Sequence, residues 1–141
     1  MNKNGPVVII EDDEDDQYML KDIFQKLAYK NEIIFFKDGI SALAYLDKTE
    51  IGPFLILSDI NMPKVNGMEL RSMVYASERL HIKCIPYLFF TTSANKESVM
   101  EAYSLSVQGF FVKPNNMDKL ELSIRKIMEY WSECIAPHEY L

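Results

Sequence analysis

Short apolar runs alternate along the chain with longer stretches whose apolar residues recur every three or four positions. Val7-Val8-Ile9-Ile10 is β-branched throughout and predicts a strand buried on both faces. An acidic cluster follows, and then Met19, Leu20, Ile23, Phe24 and Leu27 mark a helix reaching about Lys30. Ile33-Ile34-Phe35-Phe36 predicts a second strand. Asp38-Gly39 reads as a turn, and Ala42, Leu43 and Leu46 line a short helix that Gly52-Pro53 closes. Phe54-Leu55-Ile56-Leu57 predicts a third strand ending at Ser58-Asp59, followed by a loop to Gly67 and a helix turning Met68, Leu70, Met73 and Val74 inward. The fourth strand runs from Cys84 to Phe90, with Pro86 near its start because proline cannot donate a ladder hydrogen bond. Thr91-Thr92-Ser93-Ala94 leads into a helix with Val99, Ala102, Tyr103 and Leu105, and Phe110-Phe111-Val112 is a fifth strand cut off by Lys113-Pro114. The last helix takes Asn116 or Asp118 as its cap and carries Leu120, Ile124, Ile127, Met128 and Trp131.

Five strands alternating with five helices make a βα repeat, and the right-handed crossover rule turns it into a doubly wound α/β fold with a parallel sheet. The 141 residues fit one domain, with a core over about 7–132 and a short C-terminal tail. Hydrophobic residues at 48% and charged residues at 26% argue against a disordered chain. The net charge is −6, and seven of the first 22 positions are Asp or Glu. With no compensating basic run, that surface repels a nucleic-acid backbone, so nucleic acid is excluded as a partner. The apolar run that opens the fold has four residues. A signal peptide needs about 7–15 and a membrane span about 20, so a cytoplasmic protein that makes no membrane contact is expected. Cys84 and Cys134 have neither metal-ligand spacing nor a disulfide framework around them, and both are expected to be buried or half-buried thiols.

Ligands of an open parallel sheet bind beyond the carboxyl ends of its strands. Here the first strand ends at Asp12 and Asp13, the third at Asp59, the fourth at Thr91 and the fifth at Lys113. Carboxylates crowded on one rim repel unless a cation joins them. Oxygen donors without a His or Cys pair favour magnesium, with manganese as the alternative, over zinc or copper. Lys113 offers a point charge to phosphoryl oxygens, Thr91 a hydroxyl donor, and Asp59 a carboxylate able to attack phosphorus. Each residue alone has a plainer role. Acidic residues after a strand form a solvated helix start, the role assigned to Glu11, Glu14, Asp15 and Asp16; an Asp at a strand end makes a turn, a Thr caps, and a Lys is a surface charge. Their convergence on one rim favours the chemical reading.

The motifs Ile10-Glu11-Asp12-Asp13, Leu57-Ser58-Asp59-Ile60-Asn61-Met62-Pro63, Asn66-Gly67-Met68, Phe90-Thr91-Thr92-Ser93-Ala94 and Gly109-Phe110-Phe111-Val112-Lys113-Pro114, in this order, resemble the response-regulator receiver domain of two-component signalling. The resemblance covers the chain from about Val7 to Trp131. It implies a flavodoxin-like strand order 2-1-3-4-5. It implies that Asp12 and Asp13 hold magnesium together with Asp59 and the backbone carbonyl of Asn61, and that Asp59 is phosphorylated by a histidine kinase or a histidine phosphotransfer protein. Thr91 would move onto the phosphoryl group, Lys113 would pair with it, Phe111 would be the aromatic switch residue, and the Lys113–Pro114 peptide would be cis. A stand-alone receiver of this kind would either relay the phosphate or switch a protein target through the face of the fourth helix and fifth strand, which also serves homodimers in the family. Catalysis would be confined to the domain's own phosphorylation and dephosphorylation.

Three features depart from the family pattern: Thr92 where Ala or Gly is usual, Phe111 without a hydroxyl, and the segment Tyr103-Ser104-Leu105-Ser106-Val107-Gln108, ahead of Gly109, without the glycine and alanine typical there. Two other functions compete with the receiver reading. A magnesium-dependent phosphatase with an aspartyl nucleophile would want a second acid near Asp59, and position 61 is Asn. A binding module working without phosphorylation would have no use for three repelling carboxylates.

Overall fold

Strands Val7–Ile10 (β1), Ile33–Phe36 (β2), Leu55–Ser58 (β3), Tyr87–Thr91 (β4) and Gly109–Val112 (β5) form one sheet in a computed structural model that describes residues 1–140. The order is β2-β1-β3-β4-β5 and every pairing is parallel. β1, β3 and β4 are buried along their whole length, which explains their unbroken apolar runs. The helices are Glu14–Leu27 (α1), Gly39–Lys48 (α2), Gly67–Ala76 (α3), Glu78–His81 (α4), Lys96–Ser104 (α5) and Met117–Glu133 (α6), followed by a 3-10 turn, Pro137–Tyr140.

Among the described residues six α-helices stand where five were expected. The extra one, α4, is a single turn capped by the Ser77 hydroxyl, which accepts from the Leu80 amide while Leu80 is buried. Four residues are too few for a helical period to register in the sequence. Other boundaries moved for equally local reasons. Asp38 caps α2 by accepting from Ser41 N rather than forming a turn, and α1 ends at Leu27 because Ala28 adopts a left-handed conformation at φ 54°. β4 begins at Tyr87, past an exposed Cys84 at φ 51°, so that thiol is not the buried group expected; Cys134 is half-buried. Met73 and Tyr103, expected inward, are exposed.

Strand alternation divides the core into two layers. Val7, Ile9, Leu55, Leu57, Leu88 and Phe90 pack against α1 and α6, with Phe111 beside them. Val8, Ile10, Ile56, Tyr87 and Phe89 pack against α2, α3, α4 and α5, with Phe110 beside them.

Two contacts in the second layer bear on the functional rim. Gly67 opens α3 so close to the end of β3 that a Cβ there would lie 2.2 Å from the Asp59 carbonyl oxygen and 2.8 Å from Ile60 Cα. Both neighbours are backbone, which cannot swing aside. Arg71, only 6% exposed, donates from Nε to the Leu105 carbonyl (2.8 Å) and from a terminal nitrogen to the Ser106 carbonyl (2.9 Å). Its guanidinium lies 5.2 Å from the Tyr75 ring centre and 5.3 Å from that of Tyr87. A buried cation thus satisfies the carbonyls at the exit of α5.

Gly67→Ala should therefore destabilise the protein by about 1–3 kcal/mol, the usual cost of forcing an extra carbon into close-packed backbone. Urea unfolding checks this, and a variant matching the parent would mean that the α3 start gives way freely.

Candidate functional site

The backbone ladder carries the functional side chains to the rim. Glu11 N donates to Phe36 O (2.9 Å), Asp59 N to Ile10 O (2.9 Å) and Lys113 N to Thr91 O (2.6 Å). Each of these residues follows the last residue of its strand and is held by the strand beside it, so strand register fixes three side chains from distant parts of the sequence.

The acidic set that converges is Glu11, Asp12 and Asp59, which offer one carboxylate oxygen each, all within 4.8 Å of one another. Asp13 is not among them. It is the N-cap of α1, exposed, with Oδ1 accepting from Asp16 N at 3.0 Å. The expected pair Asp12–Asp13 is thus displaced by one residue to Glu11–Asp12. Glu11, expected in a solvated helix start, is 2% exposed. The signal was present in the sequence: Asp13 followed three residues later by Asp16 has the spacing of a helix cap, and assigning the cap first moves the pair back by one.

Lys113 lies among the carboxylates. Its ammonium contacts Glu11 Oε1 and stands 3.0 Å from Asp16 Oδ2 and 3.6 Å from Asp59 Oδ2. Burial works against the ammonium, but hydrogen bonds and charge from Glu11 and Asp16, with the charge of Asp59, outweigh it and leave the Lys113 pKa above its ordinary value. Burial and the neighbouring Asp59 push the Glu11 carboxyl up to about 8 against the pull of Lys113. Asp16 is a second residue that the sequence reading missed, because nothing in a linear pattern shows which turn of α1 faces the end of β5.

Asp59 is 8% exposed, and its Oδ1 accepts from Ile60 N at 2.7 Å. Asn61 follows in the exposed loop on the same rim. Thr91 is fully buried at the end of β4, and its hydroxyl oxygen has no hydrogen-bond partner. Thr92 is exposed and, with Asp16, Lys113, Pro114 and Asn116, lines a cavity of about 180 Å³ beside the ammonium.

Two further expectations need correction. No peptide bond among the described residues is cis, so Lys113–Pro114 is trans. Trans is favoured at X–Pro by about 0.5–1 kcal/mol, and Lys113 reaches the acidic rim from it. The aromatic ring on Thr91's face of the sheet is Phe110, not Phe111. Phe110 pairs in register with Phe89, their ring centres 6.0 Å apart, and Thr91 follows Phe89 by two positions. Phe111 packs on the opposite face, against Phe90.

Comparison with known proteins agrees with this geometry. The family model described as the response regulator receiver domain matches residues 7–125. The chain belongs to the response-regulator receiver family. Among curated relatives, a probable methanogenesis regulatory protein, FilR2 of Methanothrix harundinacea, is 33% identical over 89% of this chain and 82% of its own. The chemotaxis protein CheY-3 of Vibrio cholerae is 31% identical over 92% of this chain and 95% of its own. Among solved structures, the phosphorylated cyanobacterial phytochrome response regulator RcpA superposes with a TM-score of 0.85 at 27% identity, covering 94% of this chain and 97% of that one. The Mn2+-bound response regulator Rcp1 gives a TM-score of 0.78 at 28% identity, covering 93% and 97%. The receiver domain's strand order matches the expected 2-1-3-4-5.

Three converging carboxylate oxygens suit a hard divalent cation, and such a cation binds the ionised carboxylate. Because the Glu11 pKa is raised to about 8, the proton it must lose is still held at lower pH. Mg2+ or Mn2+ affinity should therefore climb as pH rises from about 6 towards about 8 and level off above. Titration calorimetry checks it. Glu11→Gln should weaken binding and flatten the slope, whereas Asp13→Asn, which keeps a good cap, should leave affinity unchanged. The reverse ranking of the two variants would contradict the acidic set.

Proposed function

We propose that the carboxylate of Asp59 accepts a phosphoryl group from the phosphohistidine of a histidine kinase or histidine phosphotransfer protein. One observation carries this reading: Asp59 is shared between the three-oxygen acidic cluster and the Lys113 ammonium. An Asp59 oxygen attacks phosphorus, the P–O bond forms as the P–N bond breaks, and the imidazole nitrogen keeps the bonding pair and takes up a proton from water. Glu11 and Asp12, with Asp59 and the nearby Asn61 carbonyl, would hold a magnesium or manganese ion, whose chemistry is to neutralise the transferring oxygens. Lys113 is the chain's own positive charge at the same place.

The phosphoryl group then acts as a switch. The Thr91 hydroxyl is a buried donor with no partner, and leaving such a group unpaired costs about 1–3 kcal/mol. A phosphoryl oxygen within its reach relieves that cost, so phosphorylation favours a shifted β4 end. Phe110, on the same face and half-buried, is the ring that follows the shift. The readout surface is α5 with β5, where Met100, Tyr103 and Val112 are exposed, and the partner is a protein that prefers the shifted state.

Acetyl phosphate with Mg2+ should add one phosphoryl group to the intact mass, and Asp59→Asn should abolish the gain. The same gain in that variant would end the assignment.

A further inference from the structure

Lys113 has more carboxylates around it than one ammonium needs, and they are of two kinds. Glu11 and Asp59 belong to the cluster that suits a divalent cation, whereas Asp16 does not. Asp16 lies in the first turn of α1, and that turn is capped from within and held to the rim by one side chain. Asp13 Oδ1 accepts from the Asp16 amide (3.0 Å), and the Gln17 side-chain amide donates to the Glu11 carbonyl. The far side of the pair is equally fixed, because Lys113 N donates to Thr91 O at 2.6 Å. The 3.0 Å contact from Lys113 Nζ to Asp16 Oδ2 thus joins α1 to the end of β5.

A cation held by the cluster would draw on the negative charge of Glu11 and Asp59. The Lys113 side chain, 8% exposed, would then need another counter-ion, since a buried ammonium without one is costly. We propose that Asp16 is the positioning residue for Lys113 in the cation-bound domain: it holds the ammonium aimed at the rim while Glu11 and Asp59 serve the cation. Once Asp59 carries a phosphoryl group, Lys113 is shared between that group and Asp16, which ties the start of α1 to the phosphorylated site. The catalytic part of this inference rests on the phosphoacceptor reading; the counter-ion part does not.

Two measurements test it. In the first, thermal unfolding of Asp16→Asn, Lys113→Met and the double variant forms a cycle without and with saturating Mg2+. The coupling between positions 16 and 113 should persist when Mg2+ is added, and its disappearance with Mg2+ overturns the inference. In the second, phosphorylation by acetyl phosphate is followed as donor and Mg2+ are varied separately. Asp16→Asn should slow the reaction about tenfold at low donor, the scale of a lost hydrogen bond between charged groups. The Mg2+ concentration for half-maximal rate should not move, and Asp16→Glu should recover most of the rate. Asp15→Asn removes the same charge from the same turn at an exposed position and should match the parent. If Asp16→Asn matches Asp15→Asn, or if its loss is overcome by more Mg2+, the assignment is wrong. A parent protein that takes no phosphoryl group would count against the phosphoacceptor reading, and the unfolding cycle would still decide the role of Asp16.

Discussion

Carboxyl groups held together at the end of a sheet govern this domain. Glu11, Asp12 and Asp59 bring three carboxylate oxygens within 4.8 Å of one another, two of the residues being almost wholly buried. Such a cluster is unfavourable alone, and the Lys113 ammonium relieves it. The cost is sustained by the fold beneath it: Glu11, Asp59 and Lys113 are each held through the main chain to a neighbouring strand, and Gly67 lets α3 start directly behind Asp59. Loosening the rim to relieve repulsion would mean breaking the parallel ladder.

The sheet was legible because its evidence is periodic. Buried parallel strands are continuous apolar runs, and Val7–Ile10, Leu55–Ser58 and Gly109–Val112 stand within a residue or so of where those runs place them. The residues that carry the chemistry were harder to place, because single-residue register is a property of three dimensions. Asp12 and Asp13 look equivalent in a line of acidic residues; one faces the cluster and the other caps a helix. Phe110 and Phe111 look equivalent in a strand, and alternation sends them to opposite faces. Sequence spacing gives a site to within a residue, and a strand's two faces make one residue the whole difference.

Arg71 shows another limit. The carbonyls at the exit of α5 are satisfied from α3, more than thirty positions earlier in the chain. There a guanidinium between two tyrosine rings holds the carbonyls of Leu105 and Ser106. Tyr87, one of those rings, also donates to the Gly67 carbonyl at 3.3 Å. The backing of Asp59 and the exit of α5 therefore share a packed connection that local sequence does not disclose.

Whether the acidic rim is the cation site is open to direct observation. A crystal grown with Mn2+ and measured near the manganese absorption edge locates the ion by its anomalous signal. The account predicts a single rim site with carboxylate ligands from Glu11, Asp12 and Asp59, and Asp13 still turned towards the Asp16 amide. An ion bound by Asp13, or a rim without manganese at saturating concentration, would contradict it.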